Sequence, residues 1–140
     1  MKEEVSAGII LFNEIEDKEF LLLNYPSKHW DFVKGKMEKD ETPHETALRE
    51  TKEETGISDV EFIDGFKEEI KYCFYADNQE IHKKVIFFLG KTKTIDIILS
   101  HEHLDFIWLD FNNALEKITY KNAKNLLKKS KVFLENRISN

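Results

Sequence analysis

Between Thr42 and Gly56 the chain carries its own start and stop signals for a helix. Thr42 followed by Glu45 is a capping-box pair, Pro43 occupies the first helical position where a missing N–H costs nothing, and Gly56 stands where the chain should leave the helix. The predicted helix runs roughly from Pro43 to Thr55. At about 3.6 residues per turn, Glu50, Glu53 and Glu54 share one face, while Ala47, Leu48 and Thr51 are expected to point inward. Like charges at these spacings cost roughly a few tenths of a kcal/mol per pair, and folding gains nothing from placing them together. A bare cluster of this kind is usually a solvated acidic face. A hard divalent cation would reverse the sign, because Mg²⁺ is bound through one or two carboxylates together with substrate phosphates.

The surroundings of the helix are more specific than the three glutamates. Gly35, Glu41, Arg49, Glu50, Thr51, Glu53, Glu54, Gly56 and Ile57 follow the spacing G-x5-E-x7-R-E-T-x-E-E-x-G-I across residues 35–57, and this resembles the Nudix box. One position departs from it: Thr51 stands where an aliphatic residue usually follows Arg-Glu, which softens the packing behind the helix and touches no ligand. The resemblance implies an α/β/α sandwich with a mixed β-sheet. It also implies that Glu50, Glu53 and Glu54 hold metal.

The rest of the chain can supply that sheet. Val5 to Phe12 and Glu19 to Leu23 are apolar, β-branched or aromatic runs separated by a polar turn, and Trp30 to Val33 makes a brief strand leading into Lys34-Gly35-Lys36, where Gly35 permits close backbone approach. Val60 to Ile63 and Glu69 to Tyr75 read as strands, and Ala76-Asp77-Asn78 turns the chain back into Lys84 to Leu89 as a hairpin. Ile95 to Leu99 and Phe106 to Leu109 are expected as further short strands around the polar loop Ser100-His101-Glu102-His103. Asp110 can cap a short helix through Ile118. Ala123, Leu126, Leu127, Ser130, Phe133 and Leu134 then recur at helical spacing, with Lys121, Lys124, Lys128, Lys129 and Lys131 mostly on the outer side.

A chain of 140 residues, 41% of them hydrophobic, suits one domain over residues 1–140. Its net charge of −6 argues against general attraction to nucleic acid or anionic membranes, so a polyphosphate substrate would have to be screened locally by cations. The single cysteine, Cys73, excludes an internal disulfide framework and fits a reducing compartment. No apolar stretch approaches the roughly 18 residues of a membrane span and no signal peptide is evident, so the chain is expected to be cytoplasmic. The oligomeric state is not legible.

Metal-assisted attack of water on a phosphoryl group needs cations on the phosphate oxygens and an acceptor for the water proton. Glu53 and Glu54, with Glu50, are the natural ligands, and Arg49 can orient Glu53 by an i, i+4 ion pair. Glu41, before the helix cap, reads as structural. Glu102 is the best candidate for a further carboxylate from a distant loop. His101 and His103 could ligate a transition metal as a His-x-His pair, but in a carboxylate site they would support a ligand rather than bind the ion.

The flanks narrow the resemblance. HWDFVKGKME, ETALRET, GFKEEIKY, HKKVIFFL, LSHEHLDFIWL and TYKNAKNLL, in this order, are similar to the asymmetrical diadenosine tetraphosphate hydrolases within the Nudix proteins. Phe32-Val33 replaces the proline usually seen before the Lys34-Gly35 pair, and the Phe74 to Ile81 hairpin is longer. By this similarity Tyr72 and Tyr120 fall where aromatic rings sandwich an adenine, although without it each reads as a core or rim tyrosine. Lys83 resembles the lysine that meets the polyphosphate; Lys84 is adjacent, and a strand turns only one of the two inward. His29 and Lys34 match further phosphate-contacting positions, and Trp30 is expected to pack under the cleft. The implied activity is Mg²⁺- or Mn²⁺-dependent hydrolysis of a dinucleoside polyphosphate, diadenosine tetraphosphate going to ATP and AMP. Two rivals stand beside it: pyrophosphate removal from the 5′ end of RNA or from a nucleoside triphosphate, and a catalytically silent nucleotide-binding module.

Overall fold

Strand β1 (Lys2–Asn13) is buried from Ala7 to Phe12, as a continuous apolar run must be when both of its faces are covered. In the computed structural model, which describes residues 2–138, the other elements assemble on this strand. They are β2 (Glu19–Asn24), β3 (Trp30–Asp31), β4 (Val33–Lys36), α1 (Pro43–Thr55), β5 (Glu61–Ala76), β6 (Gln79–Lys91), β7 (Asp105–Leu109), α2 (Phe111–Lys117) and α3 (Lys121–Ile138). The strand order is β3-β2-β1-β6-β5, with β4 also paired to β1 and β7 to β2. The pairing of β1 with β6 is parallel, from Lys2 opposite Ile81 to Phe12 opposite Lys91, and the other pairings are antiparallel. The sheet is therefore mixed, as expected.

Alternate residues of each strand feed two cores. Ile10, Phe12, Val85, Phe87 and Leu89 pack on one face with Ala114 of α2 and Leu126 and Leu127 of α3, while Ile9, Leu11, Ile86 and Phe88 pack on the other with Ala47 and Ile57. Full burial of such a side chain contributes about 1.5–3 kcal/mol, so α1 and the C-terminal helices are each fixed to their own face of the sheet. This is the expected α/β/α sandwich. The predicted domain bounds at 1 and 140 lie outside the described residues. Among those residues, no helix is long and apolar enough to cross a membrane.

One branching of β1 positions the site. Its final residues pair with β2, whereas Ser6–Ile9 pair with Lys36–Val33 of β4, which places Gly35 opposite Ala7 and beneath α1. A Cβ at Gly35 would lie 2.0 Å from Glu50 Cδ, so this is the close approach for which only glycine has room.

Several local expectations are corrected. Ile95–Leu99 is not a strand: Ile98 N and Ser100 N donate to the carbonyls of Thr55 and Glu54, satisfying the end of α1 instead of a sheet neighbour. Leu48 is 38% exposed, because it lies about 100° past Ala47 around the helix and the inward stripe runs through Ala47, Thr51 and Thr55. The strands expected at Val60–Ile63 and Glu69–Tyr75 merge, from Glu61 onward, into one long strand, with a register shift between Phe62 and Lys67 around Gly65 at φ 94°. The Trp30–Val33 strand divides at Phe32 into β3 and β4. The hairpin turn is as expected, with Asp77 and Asn78 both at positive φ between the paired Ala76 and Gln79, as a two-residue primed turn requires.

Candidate active site

Helix α1 begins and ends on the signals read from the sequence. Glu45 N donates to Thr42 Oγ1, Thr42 N donates to Glu45 Oε1, and Gly56 caps the C-terminus in the left-handed conformation. Behind it Thr51, which stands where an aliphatic residue is usual, and Thr55 satisfy their own hydroxyls, Thr51 Oγ1 donating to Ala47 O and Thr55 Oγ1 to Thr51 O.

Arg49 organises the acidic face. Its guanidinium contacts Glu41 at 2.7 and 3.1 Å, Glu50 at 3.0 Å and Glu53 at 3.1 Å, and it donates to Lys36 O at 2.9 Å. The expected Arg49–Glu53 pair is thus one arm of a larger clamp. Glu41, held by Arg49 and then by Glu38 N and Thr46 Oγ1, has its carboxyl lowered to about 2. Glu50 moves the other way: burial against Gly35 raises it, Arg49 opposes the rise, and the charges of Glu53 and Glu54 add to it. Glu54 is buried, accepts a hydrogen bond from Ser100 Oγ at 2.6 Å, and has His103 Nδ1 2.5 Å from its Oε2. One carboxylate oxygen from each of Glu50, Glu53 and Glu54 falls within 4.8 Å of the others. Three such oxygens, one of them on a carboxylate that burial disfavours as an anion, fit a hard divalent cation.

Glu102 lines a recess of about 430 Å³ together with Tyr25, Lys34, Gly35, Glu50, Glu54 and His103. Glu102 reaches the rim of the acidic cluster without joining its closest group. His101 is exposed, and His103 supports Glu54 rather than pairing with His101.

The second part of the site lies on the α3 side of the sheet. A cavity of about 710 Å³ is lined by Tyr72 and Lys83 from the β5–β6 hairpin, Tyr120 from the loop before α3, His29 and Lys34, with Ser6 at its floor. The two tyrosines, distant in sequence, meet here. Lys83 faces the cavity; Lys84, its neighbour on the strand, points to the opposite face. Burial lowers the Lys83 ammonium and the nearby charge of Lys34 lowers it further, so this pair of cations gains from an anion between them. Ser6 Oγ is buried without a hydrogen-bond partner among the described residues, a hydroxyl left for whatever fills the cavity. Trp30 does not line the cavity; it packs on the core with Lys117 over its ring.

Tyr25, Lys34 and Gly35 border both the cavity and the recess, making one cleft of the two. Rings run along its wall. Tyr120 lies 5.2 Å from His29, His29 stacks on Tyr25 at 4.7 Å, and Tyr25 meets His103 edge-on at 4.6 Å. Tyr25 and Ser100 were not expected here. Tyr25 sits in a Tyr-Pro-Ser-Lys loop with no distinctive spacing, and Ser100 matters only because the segment before it docks on the end of α1.

Comparison with known proteins places the fold in a family. Residues 2–129 match the NUDIX domain. The chain belongs to the Nudix family. Its Nudix relatives include the mouse asymmetrical bis(5′-nucleosyl)-tetraphosphatase, 38% identical over 122 residues covering 83% of this chain and 80% of the relative. The Caenorhabditis elegans protein of the same name is 32% identical over 133 residues, covering 92% and 95%. A crystal structure of a C. elegans Ap4A hydrolase binary complex superposes with a TM-score of 0.79 at 29% identity over 95% of this chain and 98% of that one. The Nudix match spans both halves of the cleft, from Lys34 and the α1 glutamates to Tyr120.

Proposed function

We propose that this Nudix protein hydrolyses dinucleoside polyphosphates, diadenosine tetraphosphate and water giving ATP and AMP, with Mg²⁺ or Mn²⁺ as cofactor. The observation that carries the reading is the continuity of the cleft: an aromatic cavity large enough for a base joins, at Tyr25, Lys34 and Gly35, a recess walled by carboxylates. Similarity to asymmetrical tetraphosphatases over more than four-fifths of the chain supports the substrate class.

Nudix hydrolases use divalent metal ions, and here Glu50, Glu53 and Glu54 would hold one, with Glu102 approaching from its loop. When bound, the ion supplies charge neutralisation at the phosphoryl group under attack. The chain's own groups do the rest. Tyr72 and Tyr120 stack on an adenine from two sides, and Lys83, with Lys34 and His29, meets the polyphosphate as it crosses from cavity to recess. Arg49 holds Glu53 and Glu50 in place, and Ser100 with His103 does the same for Glu54. Intact carboxylates argue against a silent binding module. The single free thiol, Cys73, suits a reducing, cytoplasmic setting for what we take to be a single domain.

The test is product analysis over a panel of nucleotides in ¹⁸O-water. ATP and AMP from diadenosine tetraphosphate, with label in only one of them, are expected. Faster turnover of 5′-triphosphorylated RNA or of a nucleoside triphosphate would reassign the substrate, and binding without turnover in the presence of Mg²⁺ would revive the silent module.

A further inference from the structure

On the face of the β5–β6 hairpin opposite Tyr72 and Lys83, three metal-ligating side chains of different chemistry come together. Cys73 and His82 are direct register partners, and Glu80, next but one to His82, shares their face. Cys73 Sγ lies 3.6 Å from His82 Nδ1, and His82 Nε2 lies 3.1 Å from Glu80 Oε1. One donor atom from each of the three falls within 4.8 Å of the other two. On the far side of His82, its register partner on β1 is Glu3, so three adjacent strands present Glu3, His82 and Cys73 in one row.

Two details distinguish this group from an ordinary hydrogen-bonded trio. The Glu80 carboxylate sits at contact distance from His82 Nε2 without hydrogen-bonding to it, so it is not committed to the ring and can turn to an ion held at Nδ1. Further, a thiolate and an imidazole on one tetrahedral Zn²⁺, at about 2.3 and 2.0 Å, stand roughly 3.5 Å apart. Cys73 Sγ and His82 Nδ1 already stand 3.6 Å apart, a thiol–imidazole hydrogen-bond distance that is also the spacing of two donors on one ion, so replacing the shared proton by the cation needs little movement.

We propose that this row binds a borderline divalent cation of the Zn²⁺ class through Cys73, His82 and Glu80, with Glu3 or water as fourth donor. The site is separate from the α1 carboxylates and selects differently. Sulfur and nitrogen donors favour Zn²⁺ over Mg²⁺, whereas an all-oxygen group favours the harder ion. Binding releases the Cys73 thiol proton to solvent as the thiolate takes the metal. It also ties β5 to β6 directly behind Tyr72 and Lys83, so occupancy stiffens one wall of the base cavity.

Co²⁺ is the probe, because thiolate ligation gives it a sulfur-to-metal charge-transfer band. With a non-chelating reductant and excess Mg²⁺ present, titration of the wild type should develop this band to one cation per chain, with no change in oligomeric state, and Zn²⁺ should bleach it. Cys73→Ser should abolish the band. His82→Gln and Glu80→Gln should each weaken binding at least as much as the roughly 10–100-fold that loss of an outer-shell partner costs. Glu53→Gln should leave the band unchanged. The proposal is overturned if the wild type shows no band, if His82→Gln and Glu80→Gln titrate like the wild type, or if the band forms only as two chains associate. All three hairpin positions are at least partly exposed, so the variants should fold, and thermal unfolding of each apo protein checks this.

Discussion

At the α1 end of the cleft Glu41, Glu50, Glu53 and Glu54 are held by ion pairs and hydrogen bonds. Arg49 holds Glu41, Glu50 and Glu53, and Ser100 with His103 holds Glu54. At the cavity end Tyr72 and Tyr120 are 38% and 54% exposed and meet Phe74 and His29 through ring contacts. On the proposed function, the contrast follows from what each end would recognise. A divalent ion needs several oxygens at one point, and their repulsion has to be overcome by the fold beforehand, so the partners are numerous and Glu50 is left disfavoured as an anion. A base offers a π face to any ring that can reach it, and stacking needs little angular precision. On the proposed function, the α1 end is built for reaction and the cavity end for adaptable capture.

The largest effect should come from breaking the wired end. Glu53→Gln keeps shape and removes charge, and turnover is expected to fall by about 100-fold or more, since loss of an oriented metal raises the barrier by roughly 3 kcal/mol. Thermal unfolding should barely change, because Glu53 is half exposed. EDTA should abolish wild-type activity and Mg²⁺ restore it. Full activity in EDTA, or in Glu53→Gln, would remove the distinction between the two ends.

Breaking the open end should look different. Tyr72→Ala or Tyr120→Ala should weaken binding of diadenosine tetraphosphate by roughly 1–3 kcal/mol, with Phe tolerated at both positions. The effect should sit in KM or a directly measured Kd, with stability unaltered. Early unfolding with binding intact would make the tyrosines structural. A smaller change is expected from Lys83→Met, roughly tenfold and mainly in kcat, if its ammonium meets charge that grows toward the transition state. Lys84→Met should be silent, because the strand turns it to the other face.

How far the sequence revealed this difference depended on whether the information was local. Helix α1 was legible to the residue, since Thr42, Pro43, Glu45 and Gly56 are short-range signals, and the Asp77-Asn78 turn was legible for the same reason. The choice of Lys83 over Lys84 needed the strand's facing, which neighbouring residues alone do not set. Ile95–Leu99 misled because an apolar β-branched run is equally at home in a strand or laid along a helix end, and only the donors from Ile98 and Ser100 to α1 decide which. For the same reason Ser100 and Tyr25 were invisible as site residues. Their importance lies in contacts with Glu54, His29 and His103 that no spacing encodes.

The smallest expected effect tests whether the wiring at the α1 end is scaffold or chemistry. Glu41 touches no other carboxylate of the cluster; it anchors the guanidinium that in turn holds Glu50 and Glu53. Arg49, with Glu38 N and Thr46 Oγ1, lowers its carboxyl from an ordinary value of 4.5 to about 2. A depressed carboxylate contributes stability that is present above its unfolded value and lost as pH falls through the folded one. The wild type should therefore be more stable than Glu41→Gln at neutral pH, with the gap closing between about pH 4.5 and 2, read by denaturant unfolding across that range. Activity of Glu41→Gln should drop only a few-fold, and higher Mg²⁺ should recover part of it, because Arg49 keeps its bonds to Glu50, Glu53 and Lys36 O while losing its firmest anchor. A stability gap that does not change with pH would mean that Arg49 gains nothing from the charge of Glu41. A loss as deep as that of Glu53→Gln would move Glu41 from the scaffold into the reacting group.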